Sequence, residues 1–162
     1  MAQTVHLFLK ANGEDIQGES SQTSEGRENS IECTYFESST DTAREVQSGL
    51  ATGRRQHKPL VIKKAIDKST PLIAKALTKN SKISGEFKFF RPNPAGDGTT
   101  QHFYTVKISD GRVGSQKMVN VWSRPGDPHA DPAQEEVTFV FQTIMWRYED
   151  GGVEHEDKWS TS

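Results

Sequence analysis

The residue types that do chemistry are all present in this 162-residue chain, but almost never at the spacing that chemistry requires. The histidines His6, His57, His102, His129 and His155 are scattered, without the close Cys/His pairing of a tetrahedral zinc site. Asp127-Pro-His-Ala-Asp131 and Glu154-His-Glu-Asp157 each gather donor atoms, yet neither follows a ligand template, and both read as solvated polar loops. Cys33 shares a strand with Ile31 and Tyr35, the setting of a buried apolar thiol and not of a nucleophile. No Gly-x-Ser-x-Gly elbow is present. Asp67 and Ser69 stand where a helix should begin, so capping accounts for them better than a catalytic triad does. Gly96-Asp-Gly98 lacks the Lys-Ser/Thr ending of a phosphate-cradling loop. Glu135 and Glu136 are neighbours on a strand and point to opposite faces. The sequence therefore supplies no catalytic, cofactor-binding or metal-ligating set, and the expectation is a protein that is not an enzyme.

One constellation does stand out. Between Arg54 and Arg91 there are eleven basic residues and two acids, Asp67 and Glu86, a net charge of +9. The remainder of the chain carries nine basic and twenty acidic residues, a net of −11. A basic block of this kind can bind nucleic acid. Arg54, Arg55, Lys58, Lys63, Lys64 and Lys88, interleaved with Phe87, Phe89 and Phe90, would then line a stacking groove for a single strand. Phe87 and Phe89 are expected to fill the core instead, and the surrounding acidity repels phosphate, so nucleic acid is the second choice. Complementary basic and acidic patches equally suit pairing between copies of one molecule.

The elements that must carry these residues are organised around the same block. Leu60, Ile62 and Ile66 recur at even spacing, the period of a half-buried strand. Asp67 and Lys68 break it, and Ser69 or Thr70 can cap a helix whose first turn accommodates Pro71. Leu72 with Ala76, and Ile73 with Leu77, lie four apart and make one apolar face of a helix over 70–80. Lys75 and Lys79 face outward near its negative end, and Asn80 stops it. Phe87 and Phe89 share a face of the next strand.

Elsewhere the pattern is of short strands. Val5, Leu7 and Leu9 alternate up to a turn at Asn12-Gly13; Ile31, Cys33 and Tyr35 form another strand. Residues 38–53 are long, polar and aperiodic, an extended loop. Pro92–Gly98 is a turn, Tyr104, Val106 and Ile108 alternate, and Asp110-Gly111 signals a tight hairpin. Val113, Ser115, Val119 and Val121 define a further face. A proline-rich connection follows at 123–133. In Glu136–Tyr148 the inward set changes phase from Val137, Phe139 and Phe141 to Ile144, Trp146 and Tyr148, as at a bulge or in a strand that serves two surfaces. Asp150-Gly151-Gly152 turns the chain into an acidic segment ending near Trp159.

Hydrophobic residues make up 32% of the chain and the mean hydropathy is −0.74. Length and patterning fit one domain over 1–162, mainly β, an antiparallel two-sheet β-barrel with one α-helix. A single cysteine permits no internal disulfide. The N-terminus has no basic leader before an apolar core, and no stretch is long enough to span a membrane.

Several runs of this sequence resemble the Hcp family (haemolysin-coregulated protein), the tube component of bacterial type VI secretion. They are RRQHKPLVIKKAIDKSTPLIAKAL followed by KFFR, the opening VHLFLKANGEDIQGES, EEVTFVFQTIMWRYEDGG, and the late DKW. The resemblance implies a small β-barrel flanked by one helix, similar to phage tail-tube proteins. It implies hexameric rings stacked into a hollow tube that carries effector proteins, is tipped by a VgrG-type spike and is driven by a contractile sheath. Export would then proceed from the cytoplasm through that machine, without a signal peptide or membrane insertion. The loop at 38–53 becomes the ring-stacking element, with Thr42, Ala43, Arg44, Glu45, Val46 and Leu50 as its contact residues. Arg54, His57, Pro59, Asp67, Lys68, Ser69 and Pro71 become structural or assembly residues. The 123–133 loop departs from many relatives at a surface expected to face the sheath.

Overall fold

A computed structural model describes residues 3–120, 124–127 and 133–159. The chain opens with β1 (Thr4–Ala11), which turns through Asn12-Gly13 into β2 (Glu14–Ile16). Both turn residues have positive φ, 51° and 83°, the geometry that matches the right-handed twist of a hairpin and favours Asn-Gly. A short 3₁₀ turn leads to β3 (Ile31–Glu37), then β4 (Thr40–Arg44), β5 (Ala51–His57) and β6 (Leu60–Ala65). Helix α1 (Ser69–Thr78) precedes β7 (Ile83–Pro92), β8 (Thr100–Val119), β9 (Gln134–Val140), β10 (Thr143–Tyr148) and β11 (Val153–Lys158).

Nine strands form one antiparallel sheet in the order β11-β10-β8-β7-β1-β3-β6-β9, with β2 beside β1. The architecture is mainly β with one helix, as expected, but the sheet does not close as a simple barrel. Its path returns on itself because β8 changes partners along its length. The first half of β8 pairs with β7 and β10, and residues from Arg112 onward pair with β9. Strands β10 and β11 continue past that junction to an edge. The core runs between the layers this fold-over creates, from Leu7 and Leu9 through Ile31, Leu60 and Ile62 to Phe87, Phe139 and Ile144.

Asp110-Gly111 is therefore not a hairpin. It lies within β8, where Asp110 takes a left-handed φ of 52° and the register against β7 slips, which is the signature of a bulge that redirects a strand. A Cβ on Gly111 would lie 2.6 Å from the Val140 carbonyl oxygen, so the bend requires glycine. A second slip in β3, between Cys33 and Tyr35, exposes Tyr35 and turns Phe36 toward Phe87 and Phe89. Val119 is likewise exposed beyond a slip between Val113 and Ser115; Val121 lies outside the described residues. The phase change expected near Phe141 occurs, since β9 ends, Phe141 stays buried, and Ile144 at the start of β10 faces inward. The inward set does not extend to the end of β10, where Trp146 is half-buried and Tyr148 is exposed.

The helix begins one residue earlier than the pattern implies and shows a different face. Ile73 and Ala76 are buried and Leu77 is half-buried against the core, but Leu72 is 42% exposed. Its start is capped from outside: Asp67 Oδ1 accepts the Ser69 N–H at 2.9 Å, and Thr70 Oγ1 accepts the Asp67 N–H at 3.1 Å. At the other end Asn80 has φ 52°, with Ser81 N–H on the Ala76 carbonyl and Asn80 N–H on that of Leu77. That pair of bonds is the left-handed C-terminal stop in which Asn substitutes for Gly.

Candidate assembly site

The run 38–53, expected to be a loop, is a β-hairpin. Thr40 pairs with His57, Thr42 with Arg55 and Arg44 with Ala51, with a slip between Thr42 and Arg44. Among the described residues, strands β4 and β5 pair with each other and with no other strand. Their sequence lacks an apolar alternation because, beyond Arg55 and His57 at the base, the ribbon residues are mostly exposed and have no apolar layer under them. At the tip, Glu45 N–H donates to the Leu50 carbonyl at 2.8 Å, Arg44 Nη1 to the Gly49 carbonyl at 3.1 Å, and Ser48 Oγ to the Glu45 carboxylate at 2.7 Å. Arg44 and Glu45 thus brace the turn. Val46 is 100% exposed and Leu50 66% exposed, an ordered apolar tip with nothing of its own chain to cover it. Ala43 lies beside the tip strand, facing Gly53.

The base of the hairpin is anchored by Arg54, Arg55 and His57. Arg54 Nη2 donates to the Trp159 carbonyl at 2.9 Å. Arg55 Nε donates to Asp157 Oδ2 and Arg55 Nη2 to the Lys158 carbonyl, both at 2.6 Å. His57 Nε2 donates to the same Asp157 oxygen at 2.6 Å, its Nδ1 pairs with Thr40 Oγ1, and its ring packs among Phe141, Trp146 and Trp159. The hydrogen bond from Arg55, aided by that from His57, outweighs burial and holds the Asp157 carboxyl below the usual carboxylate range. Pro59 and Lys58 border an open cleft of 410 Å³ beside His57, Phe141 and Trp159.

Asp67, Ser69 and Thr70 belong to a second network that the sequence hides. Lys64 occupies the inward position after Leu60 and Ile62 and has no exposed surface. Its three ammonium N–H groups are shared among four acceptors: Glu135, which is also buried, Asp67 Oδ1 at 3.0 Å, Thr70 Oγ1 at 3.2 Å and the Ala65 carbonyl at 3.0 Å. Thr70 Oγ1 and Gln116 Nε2 both donate to the Glu135 carboxylate, at 3.0 and 2.7 Å. Burial raises the Asp67 pKa, but the bonds from Ser69 and Lys64 prevail and keep it below the ordinary value. Lys68 and Pro71 are exposed beside this network. The signal for Lys64 was its phase: it continues the even spacing of Leu60 and Ile62, where a charge is rejected on sight.

The same accounting removes the basic groove. Lys64 is sealed in, Arg55 holds Asp157, Lys58 pairs with Asp41 at 3.0 Å and Lys82 with Asp110 at 2.7 Å. Phe87 and Phe90 are buried, Lys63 sits over the Tyr35 ring and Lys88 over Phe8. The aromatic residues needed for base stacking are therefore turned inward. Cys33 is buried, and desolvation pushes its thiol up to about 12. Among the described residues no group of three His, Cys, Asp or Glu side chains could hold a metal ion. Asp131, His129 and most of the 123–133 connection lie outside the described residues. No helix among the described residues is long and apolar enough to cross a membrane.

Comparison with known proteins agrees with the geometry. Residues 8–148 match the family described as type VI secretion system effector, Hcp. The chain is 34% identical over 148 residues to the major exported protein of Pseudomonas aeruginosa, covering 90% of this chain and 83% of that one. Its fold superposes on the Hcp1 protein of E. coli EAEC 042 with a TM-score of 0.82 at 30% identity, covering 98% and 99% of the two chains. The secreted protein Hcp3 of Pseudomonas aeruginosa gives 0.72 at 22% identity over 99% and 100%. With a free-standing hairpin, its anchored base and these matches in hand, the chain belongs to the Hcp family of type VI secretion proteins.

Proposed function

We propose that this protein is the repeating subunit of a type VI secretion tube, a single domain that forms hexameric rings and acts structurally, not catalytically. The observation that carries this reading is the β4–β5 hairpin, which pairs with no other strand and presents Val46 and Leu50 to solvent. An ordered ribbon with an uncovered apolar tip suits burial against a neighbouring copy. Lysines of the basic block that stay exposed, Lys68, Lys75 and Lys79, suit head-to-tail contacts with an acidic face of a neighbouring copy, in which each subunit offers one patch and accepts another until the ring closes. In this reading stacked rings enclose effector proteins, the column ends at a VgrG-type spike, and a contractile sheath surrounds it. The protein is made in the cytoplasm and leaves through the tube it builds. This accords with the name of its Pseudomonas aeruginosa relative, a major exported protein. Light scattering with negative-stain imaging tests it: rings of uniform mass are expected, and a monodisperse monomer at micromolar concentration and moderate salt overturns it.

A further inference from the structure

We propose that the pocket between Arg27 and Arg91 is a binding site for an oxyanion, a carboxylate or a phosphate-like group. Arg27 is 4% exposed and its guanidinium lies over the Phe90 ring. Nε and Nη2 donate to the carbonyl and hydroxyl of Ser24, at 2.9 and 2.6 Å. Nη1 has no partner, yet no polar side-chain atom of the described residues is both sealed and unpaired, so Nη1 reaches open space. Arg27 borders a pocket of 220 Å³ whose other walls include Arg91, Thr4, Thr100 and Gln22. Arg91 is also held by neutral partners: Nε donates to Gln101 Oε1 at 3.1 Å and Nη2 to the Tyr148 hydroxyl at 3.3 Å.

Among the described residues no carboxylate lies within ion-pair distance of either guanidinium, although Lys58, Lys64, Lys82 and Arg55 each hold one. The pocket wall contains two cations and no acid. Glu32, whose strand lies beside His6, accepts instead from the N–H and hydroxyl of Ser21. Arginine cannot escape this situation by losing its proton. A buried, uncompensated charge is costly, and a planar guanidinium fork is matched by carboxylate and phosphate oxygens. Two hydroxyls and an amide add neutral donors. The volume is several times the ~30 Å³ that one water occupies, room for a small oxyanion and its remaining hydration.

The anion has two sources, a free ion or an acidic side chain of a second copy, and one titration separates them. Sodium sulfate is titrated into the full chain at pH 7, with chloride adjusted to fixed ionic strength, and followed by calorimetry and light scattering. A free-anion site gives one saturable binding event per chain at unchanged particle mass. Arg27→Gln and Arg91→Gln weaken it about tenfold or more, the order expected when a charge-assisted bond is lost, and Lys75→Gln, on the exposed helix face, leaves it unchanged. A site filled by a second copy instead lowers the particle mass on addition of sulfate, and Arg91→Gln alone lowers it without sulfate. Neither saturable heat nor a mass response, or responses identical in Arg91→Gln and Lys75→Gln, overturns the proposal. The site does not depend on the tube reading: sulfate binding to a protein that stays monomeric would sustain the first and overturn the second.

Discussion

Arg55 and Asp157 stand 102 positions apart in the chain, and their side chains meet at 2.6 Å. That contact ties the base of the hairpin to the last strand of the sheet. Asp157→Ala removes the acceptor of both Arg55 and His57 and should cost about 2 kcal/mol of stability, the usual scale for bonds to a charged group. Urea unfolding followed by tryptophan fluorescence checks it, since Trp146 and Trp159 flank His57. The sign of the pH effect follows from the depressed pKa of Asp157. Its contribution is complete above the unfolded carboxyl value near 4 and is lost as the pH falls through the lower folded value.

His6 gives a second pH dependence at higher pH. The side chain is fully buried between Ser30 and Thr4, and desolvation, helped by Arg27, lowers its pKa to about 4. The unfolded chain binds the proton first, so stability falls as the pH drops from about 6.5 toward 4. The loss is on the order of 3 kcal/mol for a shift of this size. Measuring unfolding free energy from pH 7.5 to 5 should show this slope, and His6→Gln should flatten it.

The Lys64–Glu135 pair should behave as buried charges do. Glu135→Ala leaves the sealed Lys64 ammonium with Asp67 as its one remaining carboxylate partner among the described residues and should cost about 3 kcal/mol. The double change Lys64→Met with Glu135→Leu removes both charges and should recover most of that loss. A double-mutant cycle in chemical denaturant measures the coupling.

On the helix, Ile73→Ala should cost about 2–5 kcal/mol, because the side chain is fully buried. Leu72→Ala, on a residue still 42% exposed, should cost well under half of that. Equal midpoints of thermal unfolding for the two variants would contradict the observed face.

Replacing Thr42–Leu50 by a short Gly-Ser bridge should leave the sheet folded, because β4 and β5 pair with no other strand. Rings should persist while stacked tubes disappear from electron micrographs. Val46→Asp, which puts a charge at the exposed tip, should have the same effect with a single substitution.

Much of this molecule is legible in its sequence wherever one face of an element is wet and the other dry. Leu7, Leu9, Leu60 and Ile62 fall inward as their period requires. Asn12 and Asn80 take the left-handed turns that their positions imply. Legibility ends where a local rule is overridden from a distance. Asp110-Gly111 has hairpin chemistry, but here it forms a bulge within β8 that brings Gly111 close against the Val140 carbonyl of another strand. Strands β4 and β5 have no period to read because no core lies under them. Lys64 carries the correct phase with the wrong polarity, and it is acceptable inside because Glu135, 71 positions later, joins Asp67 and Thr70 around its ammonium. The union of Arg54, Arg55 and His57 with Asp157 and Trp159 joins two runs already distinct in the sequence, but no spacing rule says that they touch.

The late position of Glu135 also sets an order of events during synthesis. Strand β6 has β3 on one side as soon as it leaves the ribosome, but its other neighbour, β9, is more than sixty residues downstream. Until β9 emerges, the inward-pointing ammonium of Lys64 has the nearby Asp67 carboxylate but not the sealed Glu135, and its remaining N–H groups stay hydrated, which keeps this layer open to water. Closing a loop of that length is slow compared with forming the β7–β8 hairpin. The first half of the chain should therefore remain loosely packed, and a target for binding chaperones, until its final third is made.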